Sequence, residues 1–344
     1  MHKGCYLPPR TFDHLQGRRR RPNVYEEITS HVQWGETFRG KFPDLPSEGA
    51  YYHFPEQYKL GYWDPDKTQW RSDDWEAFGD PSQLTYRSYH EIQFQRDNAL
   101  TAVLDAARES RALTDMDDAW IQVLRDVFGT LRFAEWGVSM ACQYVARFGI
   151  TAAITNCALL QSFDELRHTQ RIAEWTRDLE TAHGGFAGYR KQWMEADTFQ
   201  PLREYLERVC VTKDWGEVVL ATNIVLEPLL QPVQHALLSD VGHAYKDAVL
   251  PHFSYSLQLD EERHWLWGRA LAEMLHGDEH NVERTQEWIE TWYPRAEAAV
   301  LAFGPVFESL SSGDVFERVF ESAKEEVRAS FGELTVLAPA EAKA

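Results

Sequence analysis

The chain has 344 residues, which is enough for one large domain or two domains of ordinary size. Hydrophobic residues make up 44% of it and charged residues 26%, a balance typical of a globular protein. With 35 basic against 54 acidic side chains the formal net charge is −19, which argues against nucleic acid as a partner because phosphate binding needs a clustered positive surface.

The cysteines and the apolar stretches indicate the compartment. The four cysteines are scattered without a C-x-x-C pair, and Cys142 and Cys157 lie in apolar helical pattern, as small core residues do. No apolar stretch approaches the length that spans a membrane, and residues 1–15 lack the apolar region of a signal peptide. We therefore expect a cytoplasmic protein without a membrane contact.

In chain order, residues 1–80 come first and are rich in Pro, Gly, Tyr and Trp. They predict an extended arm that lies against the chain's own helices or another subunit. Residues 81–335 predict a helical domain, and residues 336–344 a flexible tail. Within that domain a helix follows the turn at residue 80, four long apolar helices run over about 116–148, 150–182, 214–243 and 246–277, and shorter helices cover about 198–211, 281–301 and 313–331. Two long helix pairs joined by a connection predict an all-α fold, a four-helix bundle with additional helices.

Two copies of one motif stand on the predicted second and fourth long helices. "DELRH" covers residues 164–168 and "DEERH" covers residues 260–264. Residues three apart project from one face of a helix, so each copy presents a glutamate and a histidine together. The four candidate metal ligands are Glu165, His168, Glu261 and His264.

Each motif also contains an aspartate and an arginine. Asp164 and Asp260 stand four residues before the histidines, where they can orient an imidazole from behind the ligands. Arg167 and Arg263 match as well, and each can neutralise an aspartate of the facing motif.

The other two long helices each supply one glutamate on an apolar face. Glu135 lies among Leu131 and Val138, and Glu227 among Ile224 and Leu230. An unpaired buried carboxylate is costly, so these positions predict partners or a metal. Glu135 precedes Glu165 by 30 residues and Glu227 precedes Glu261 by 34, spacings that bring such positions to one level of two antiparallel helix pairs.

Four carboxylates and two imidazoles form a ligand set suited to two iron or manganese ions. A single E-x-x-H pair is weak evidence, since it is usually a solvated face or a satisfied buried pair. Two copies on the correct helices, together with both lone glutamates, favour descent from a metal site. The sequence leaves open whether this chain binds metal, and it assigns no catalytic residue.

Several stretches resemble the β (small) subunit of the hydroxylase component of soluble di-iron multicomponent monooxygenases, which oxidise toluene, phenol, propane, alkenes or cyclic ethers. They are "RTFDHL", "RRPNVYEEIT", "DDWEAFGDPSQLTYRSY", "FGITAAITNCALLQSFDELR", "DWGEVVLATNIVLEP" and "EWIETWYPRAEAAVLAF", and they run nearly from end to end. The resemblance implies a ferritin-like subunit that pairs with a catalytic α subunit and supports the O₂- and NAD(P)H-dependent oxidation of a hydrocarbon.

The resemblance also sets the expected cofactors and partners. Di-iron is expected in the α subunit, and the six ligands leave a di-iron site in this chain open, whereas β subunits of the family generally lack the ligands. We expect an α2β2 assembly with or without a γ subunit, a coupling protein and a separate NAD(P)H-dependent reductase. The chain has no four-Cys iron–sulfur pattern and no nucleotide-binding glycine motif, so we expect no iron–sulfur cluster, flavin or haem in it.

One departure from the family pattern follows Glu227, the third carboxylate of the candidate ligand set in chain order. Family α subunits usually carry a Thr one helical turn after it, and this chain has Gln231 there, bracketed by Pro228 and Pro232, which should kink the helix. This departure argues against monooxygenation at this site.

Two alternatives are a self-sufficient di-iron oxidoreductase of the ribonucleotide reductase small-subunit type and a ferritin-like storage or structural protein. The first would place a Tyr where this chain has Ile172, and ferritins are much shorter and lack the arm.

Overall fold

A computed structural model describes residues 23–29, 67–110 and 112–336, and no strand occurs among them. The α-helices are α1 Val24–Thr29, α2 Tyr86–Glu109, α3 Asp118–Val123, α4 Gly129–Phe148, α5 Ala152–His183, α6 Tyr189–Glu195, α7 Gln200–Val211, α8 Trp215–Val219, α9 Glu227–His235, α10 Gly242–Ala244, α11 Leu250–Leu275, α12 Glu279–Leu301, α13 Gly304–Ser309 and α14 Gly313–Leu334. The predicted all-α fold is confirmed. None of the described helices combines the length and apolarity needed to cross a membrane.

Four of the predicted helices form the long rods of the domain. The first consists of α3 and α4, joined by the π-helical turn Leu124–Phe128, and the second is α5. The third runs from α8 to α10 through two π-helical segments, Leu220–Leu226 and Ala236–Val241, and the fourth is α11. The third rod departs from α-helical hydrogen bonding on both sides of its prolines, which cannot donate a backbone N–H.

One helix was not expected from the sequence. Residues 181–193 were interpreted as a break, and this stretch contains the start of α6. Gly184, Gly185 and Gly188 all have positive φ angles, a conformation that glycine adopts without steric cost. The glycines thus form a real turn, and the helix that follows has only seven residues, too few for a clear apolar period.

Packing places the carboxylate-bearing faces inward. The first and second long helices contact each other along much of their length, and α2 packs against both α5 and α11. Gly268 allows the third long helix close to the fourth, because a Cβ at this position would lie 2.7 Å from the Cβ of Asn223. Cys142 and Cys157 are buried in the core, as predicted.

The described end of the predicted arm lies against the chain's own helices. Trp70 donates its indole N–H to Thr285 Oγ1 at 3.0 Å, and the ring of Trp75 packs edge-on against Trp215 at 5.5 Å. Most of the predicted arm, and all but the first residue of the predicted tail, lie outside the described residues.

Candidate metal centre

The structure brings the six predicted ligands into one buried region between the four long helices. They come from every rod, because α4, α5, α9 and α11 all turn a polar position inward at the same level. Each is less than a tenth exposed: Glu135, Glu165, His168, Glu227, Glu261 and His264.

Five of the six form two overlapping groups of donor atoms. Glu135, Glu165 and His168 offer one ligand atom each, all within 4.8 Å of one another, and the same holds for Glu165, Glu227 and His264. Glu165 belongs to both groups: its Oε2 lies 3.8 Å from His168 Nδ1 and its Oε1 lies 3.3 Å from His264 Nδ1. A carboxylate with one oxygen toward each group suits a pair of metal ions that share a ligand.

One histidine atom tests whether the donor set fits a metal. Nδ1 of His264 is fully buried and has no hydrogen-bond partner, although it lies 3.5 Å from Glu227 Oε2 as well as close to Glu165. A buried polar atom without a partner is costly, and a nitrogen that faces two carboxylate oxygens is satisfied when a cation lies between them. The donor set therefore fits a divalent metal.

The aspartates and arginines of the motifs lie behind the histidines, and each contacts the facing motif. Asp164 Oδ2 lies 3.0 Å from His264 Nε2, and Asp260 Oδ2 lies 3.2 Å from His168 Nε2. Arg263 pairs with Asp164, and Arg167 pairs with Asp260. Since each carboxylate accepts from Nε2, the Nδ1 atoms are left to face the glutamates.

Sequence reasoning missed the contribution of α2. Tyr89 donates its hydroxyl to Asp164 Oδ1 at 2.8 Å, and the Gln93 amide donates to Asp164 Oδ1 and to Asp260 Oδ1, each at 2.6 Å. Arg96 pairs with Asp260. The three residues share one helix face at i, i+4 and i+7, a spacing visible in the sequence but equally common on solvated faces.

Burial, neighbouring charges and hydrogen bonds shift the pKa values of the residues in the centre. Burial raises the pKa of Glu165 well above its ordinary value, and the charges of Glu135 and Glu227 add to the effect. Burial opposes protonation of His168, but its hydrogen bonds with Asp260 and Glu135 outweigh burial and raise the pKa of His168 to about 10. The carboxylates therefore draw positive charge into the centre, which protons or a divalent cation can supply.

Two ligands have competing contacts. The carboxylate of Glu261 contacts Nε2 of His235 and is absent from both donor groups. Glu227 accepts hydrogen bonds from Gln161 at 2.7 Å and from Gln231 at 3.1 Å, so both of its oxygens are engaged. Gln231, the departure noted in the sequence, is thus a direct contact of a candidate ligand.

The cavity beside the carboxylates is small. It measures about 20 Å³ and is lined by Glu135, Glu165, Glu227 and Glu261 together with apolar side chains of α4, α7 and α9. This volume is close to that of a single water site, whereas a cavity that binds benzene measures roughly 150 Å³.

Comparison with known proteins identifies the family. The model of the methane/phenol/alkene hydroxylase family matches residues 51–279, which is well over half of the chain. The chain belongs to this family.

Its relatives are subunits of such enzymes. It is 26% identical to the β subunit of the hydroxylase component of the toluene-4-monooxygenase system of Ectopseudomonas mendocina, over 94% of this chain and 97% of that one. It is also 26% identical to the small subunit of the hydroxylase component of propane 2-monooxygenase of Gordonia sp. (strain TY-5), over 94% and 88% of the two chains. The predicted resemblance is confirmed and favoured over the ribonucleotide reductase alternative.

Solved structures agree. A chain from the structure of toluene 4-monooxygenase with toluene bound in its resting active site superposes with a TM-score of 0.73 and 26% identity, covering 89% of this chain and 99% of that one. The predicted ferritin-like helical bundle is confirmed.

Proposed function

We propose that this chain is the β subunit of a multicomponent monooxygenase hydroxylase, in which a catalytic α subunit oxidises the hydrocarbon. The substrate class follows from the relatives, which are named for toluene and propane. The substrate of the proposed enzyme complex is an alkene, an alkane or an aromatic hydrocarbon.

The observation that carries the proposal is the cavity of about 20 Å³ beside the candidate ligands. A hydrocarbon oxidised at this centre would need far more room. Gln231 occupies part of the lining and bonds to Glu227. The geometry therefore supports a subunit that assists oxidation elsewhere rather than one that performs it.

We further propose that the centre binds metal. Glu135, Glu165 and His168 would hold one ion, and Glu165, Glu227 and His264 a second. Iron held in such a set supplies the redox chemistry with which these enzymes use O₂. The protein's own part is to fix the imidazoles through Asp164 and Asp260.

Exposed apolar side chains support an α partner. Phe94 on α2, Tyr255 on α11 and Leu266 on α11 are 67%, 62% and 43% exposed, and Leu159 on α5 is 39% exposed. These three helices pack on one another. Exposed apolar side chains on neighbouring helices suit a protein interface, and we propose that the α subunit covers them.

The proposed assembly is α2β2, with or without a γ subunit, served by a coupling protein and an NAD(P)H-dependent reductase in the cytoplasm. Reconstitution tests it. Full-length chain mixed with reductase and coupling protein should give no substrate-dependent NADH oxidation until the α subunit is added. Turnover without α would overturn the proposal.

Metal analysis tests the second part. Purified chain should contain or take up iron or manganese, and a variant carrying both Glu165→Ala and His168→Ala should not. Equal and negligible metal in both proteins would show that the six residues are structural.

A further inference from the structure

The contact between His235 and Glu261 has no role in the proposed function. His235 ends α9, two turns after Glu227, and its ring faces α11. Its Nε2 atom contacts the carboxylate of Glu261, and its Nδ1 atom lies 2.7 Å from Ser254 Oγ. The histidine is therefore fixed from both sides by residues of α11.

The contact separates Glu261 from the other ligands. Glu261 lines the same cavity as Glu135, Glu165 and Glu227, so its side chain is in reach of the centre. Its oxygens nevertheless fall outside both donor groups. One of the six candidate ligands is thus held by a hydrogen bond instead of facing the metal positions.

The surroundings of His235 make this hydrogen bond hard to give up. The ring borders a second cavity of about 10 Å³, whose walls are mainly apolar and include Leu131, Leu238 and Phe253. If Glu261 turned away, Nε2 would face these side chains or Glu135, which already lies 3.1 Å from His168 Nδ1. The His235 side chain is only 18% exposed, and its other neighbours in this cavity are mostly apolar. Loss of the carboxylate would leave Nε2 with few other partners, so the His235–Glu261 pair resists separation.

We propose that His235 is a positioning residue that withholds Glu261 and thereby makes the two metal positions unequal. This inference rests on the proposed metal binding. Each position has three donors. Glu135 and His168 of the first position contact each other at 3.1 Å, and Glu261 is the carboxylate that His235 withholds from the second. Glu227 is also engaged by Gln161 and Gln231, which weakens the second position further.

The test is a Mn²⁺ titration of chelator-treated, full-length chain, with free Mn²⁺ followed by its electron paramagnetic resonance signal. The wild type should bind one ion firmly and a second more weakly. His235→Leu and His235→Phe, which remove the partner of Glu261, should tighten the second step by about tenfold or more, the range expected when a carboxylate is released from one charge-assisted hydrogen bond. His235→Gln, which keeps a donor for Glu261, should leave that step weak.

His183→Leu is the matched control, because His183 is a half-buried histidine at the far end of α5 that contacts the backbone oxygen of Leu113. Its isotherm should match the wild type, and circular dichroism should show equal helix content in all variants. Two equal steps in the wild type, or Leu and Phe variants with unchanged isotherms, would overturn the role of His235. An absence of binding in every protein would instead overturn the metal centre itself.

Discussion

At the scale of single residues, the two aspartates behind the histidines hold the centre together. Asp164 and Asp260 are completely buried, and each meets an arginine and a histidine of the opposite motif. Burial alone would raise the pKa of Asp164, but the charge of Arg263 and the hydrogen bond with His264 lower it, so this carboxyl stays ionised. Its charge therefore compensates the guanidinium of Arg263, whose side chain is only 10% exposed.

We predict that Asp164→Ala destabilises the chain strongly. The change leaves the guanidinium of Arg263 buried without its partner, and breaking a buried ion pair in this way costs about 3–5 kcal/mol. Urea unfolding of chelator-treated protein measures the loss without a contribution from metal.

Glu207→Ala is the control for this variant. Glu207 pairs with Arg203 at 2.7 Å, but its side chain is 63% exposed, so the loss should be only about 0–1 kcal/mol. Similar losses for the two variants would contradict the view that the buried network holds α5 and α11 together.

At the scale of elements, the approach of the third and fourth long helices sets the level of the ligands. The amide of Asn223 donates to the backbone oxygen of His264 at 2.8 Å and to Gln161 Oε1 at 2.7 Å. Asn223 lies in the π-helical segment just before Glu227, so the irregular backbone positions both a ligand and the amide that contacts the facing helix.

Gly268→Ala should disturb this contact. The added methyl group would lie 2.7 Å from the Cβ of Asn223, an atom fixed to the backbone, so the helices must separate. We expect a loss of about 1–3 kcal/mol, as for overpacking in a core. Thermal unfolding of chelator-treated protein measures it.

Gly332→Ala gives the matched comparison, since nothing lies within 4 Å of a Cβ added at this position of α14. Alanine favours a helix more than glycine does, and this change should stabilise the chain by up to about 1 kcal/mol. A gain at both positions would mean that Gly268 is not required for the approach.

At the scale of the whole molecule, the chain is a strongly acidic helical domain with exposed apolar side chains on the neighbouring helices α2, α5 and α11. We predict that Phe94→Glu combined with Leu266→Glu weakens binding of the α subunit by tenfold or more, because central apolar groups carry most of the binding energy of an interface. Co-elution in gel filtration and titration calorimetry with purified α measure the effect.

The unfolding midpoint of this double variant should stay near that of the wild type, because both side chains are exposed. Val211→Glu serves as control: Val211 is 74% exposed but ends α7, a helix that packs mainly on α4 and α12, so α binding should be unaffected. Unchanged binding by the double variant would place the α interface elsewhere.

The sequence by itself determined the helical fold, the four long helices and the six candidate ligands. These features depend on local geometry: a period of 3.6 residues marks a helix face, and Glu165 with His168 must share that face whatever the helix packs against. Acidic residues at apolar positions, such as Glu135 and Glu227, were informative because burial of an unpaired charge is costly.

Only the tertiary structure decided which groups meet across helices. Asp164 pairs with His264, Gln93 bridges both aspartates, and Glu261 forms a hydrogen bond with His235. These contacts join residues between 26 and 167 positions apart. Such contacts depend on how far each helix is rotated and shifted against its neighbours. That is set by the packing of whole faces and by close approaches such as the one at Gly268, which no local pattern reports.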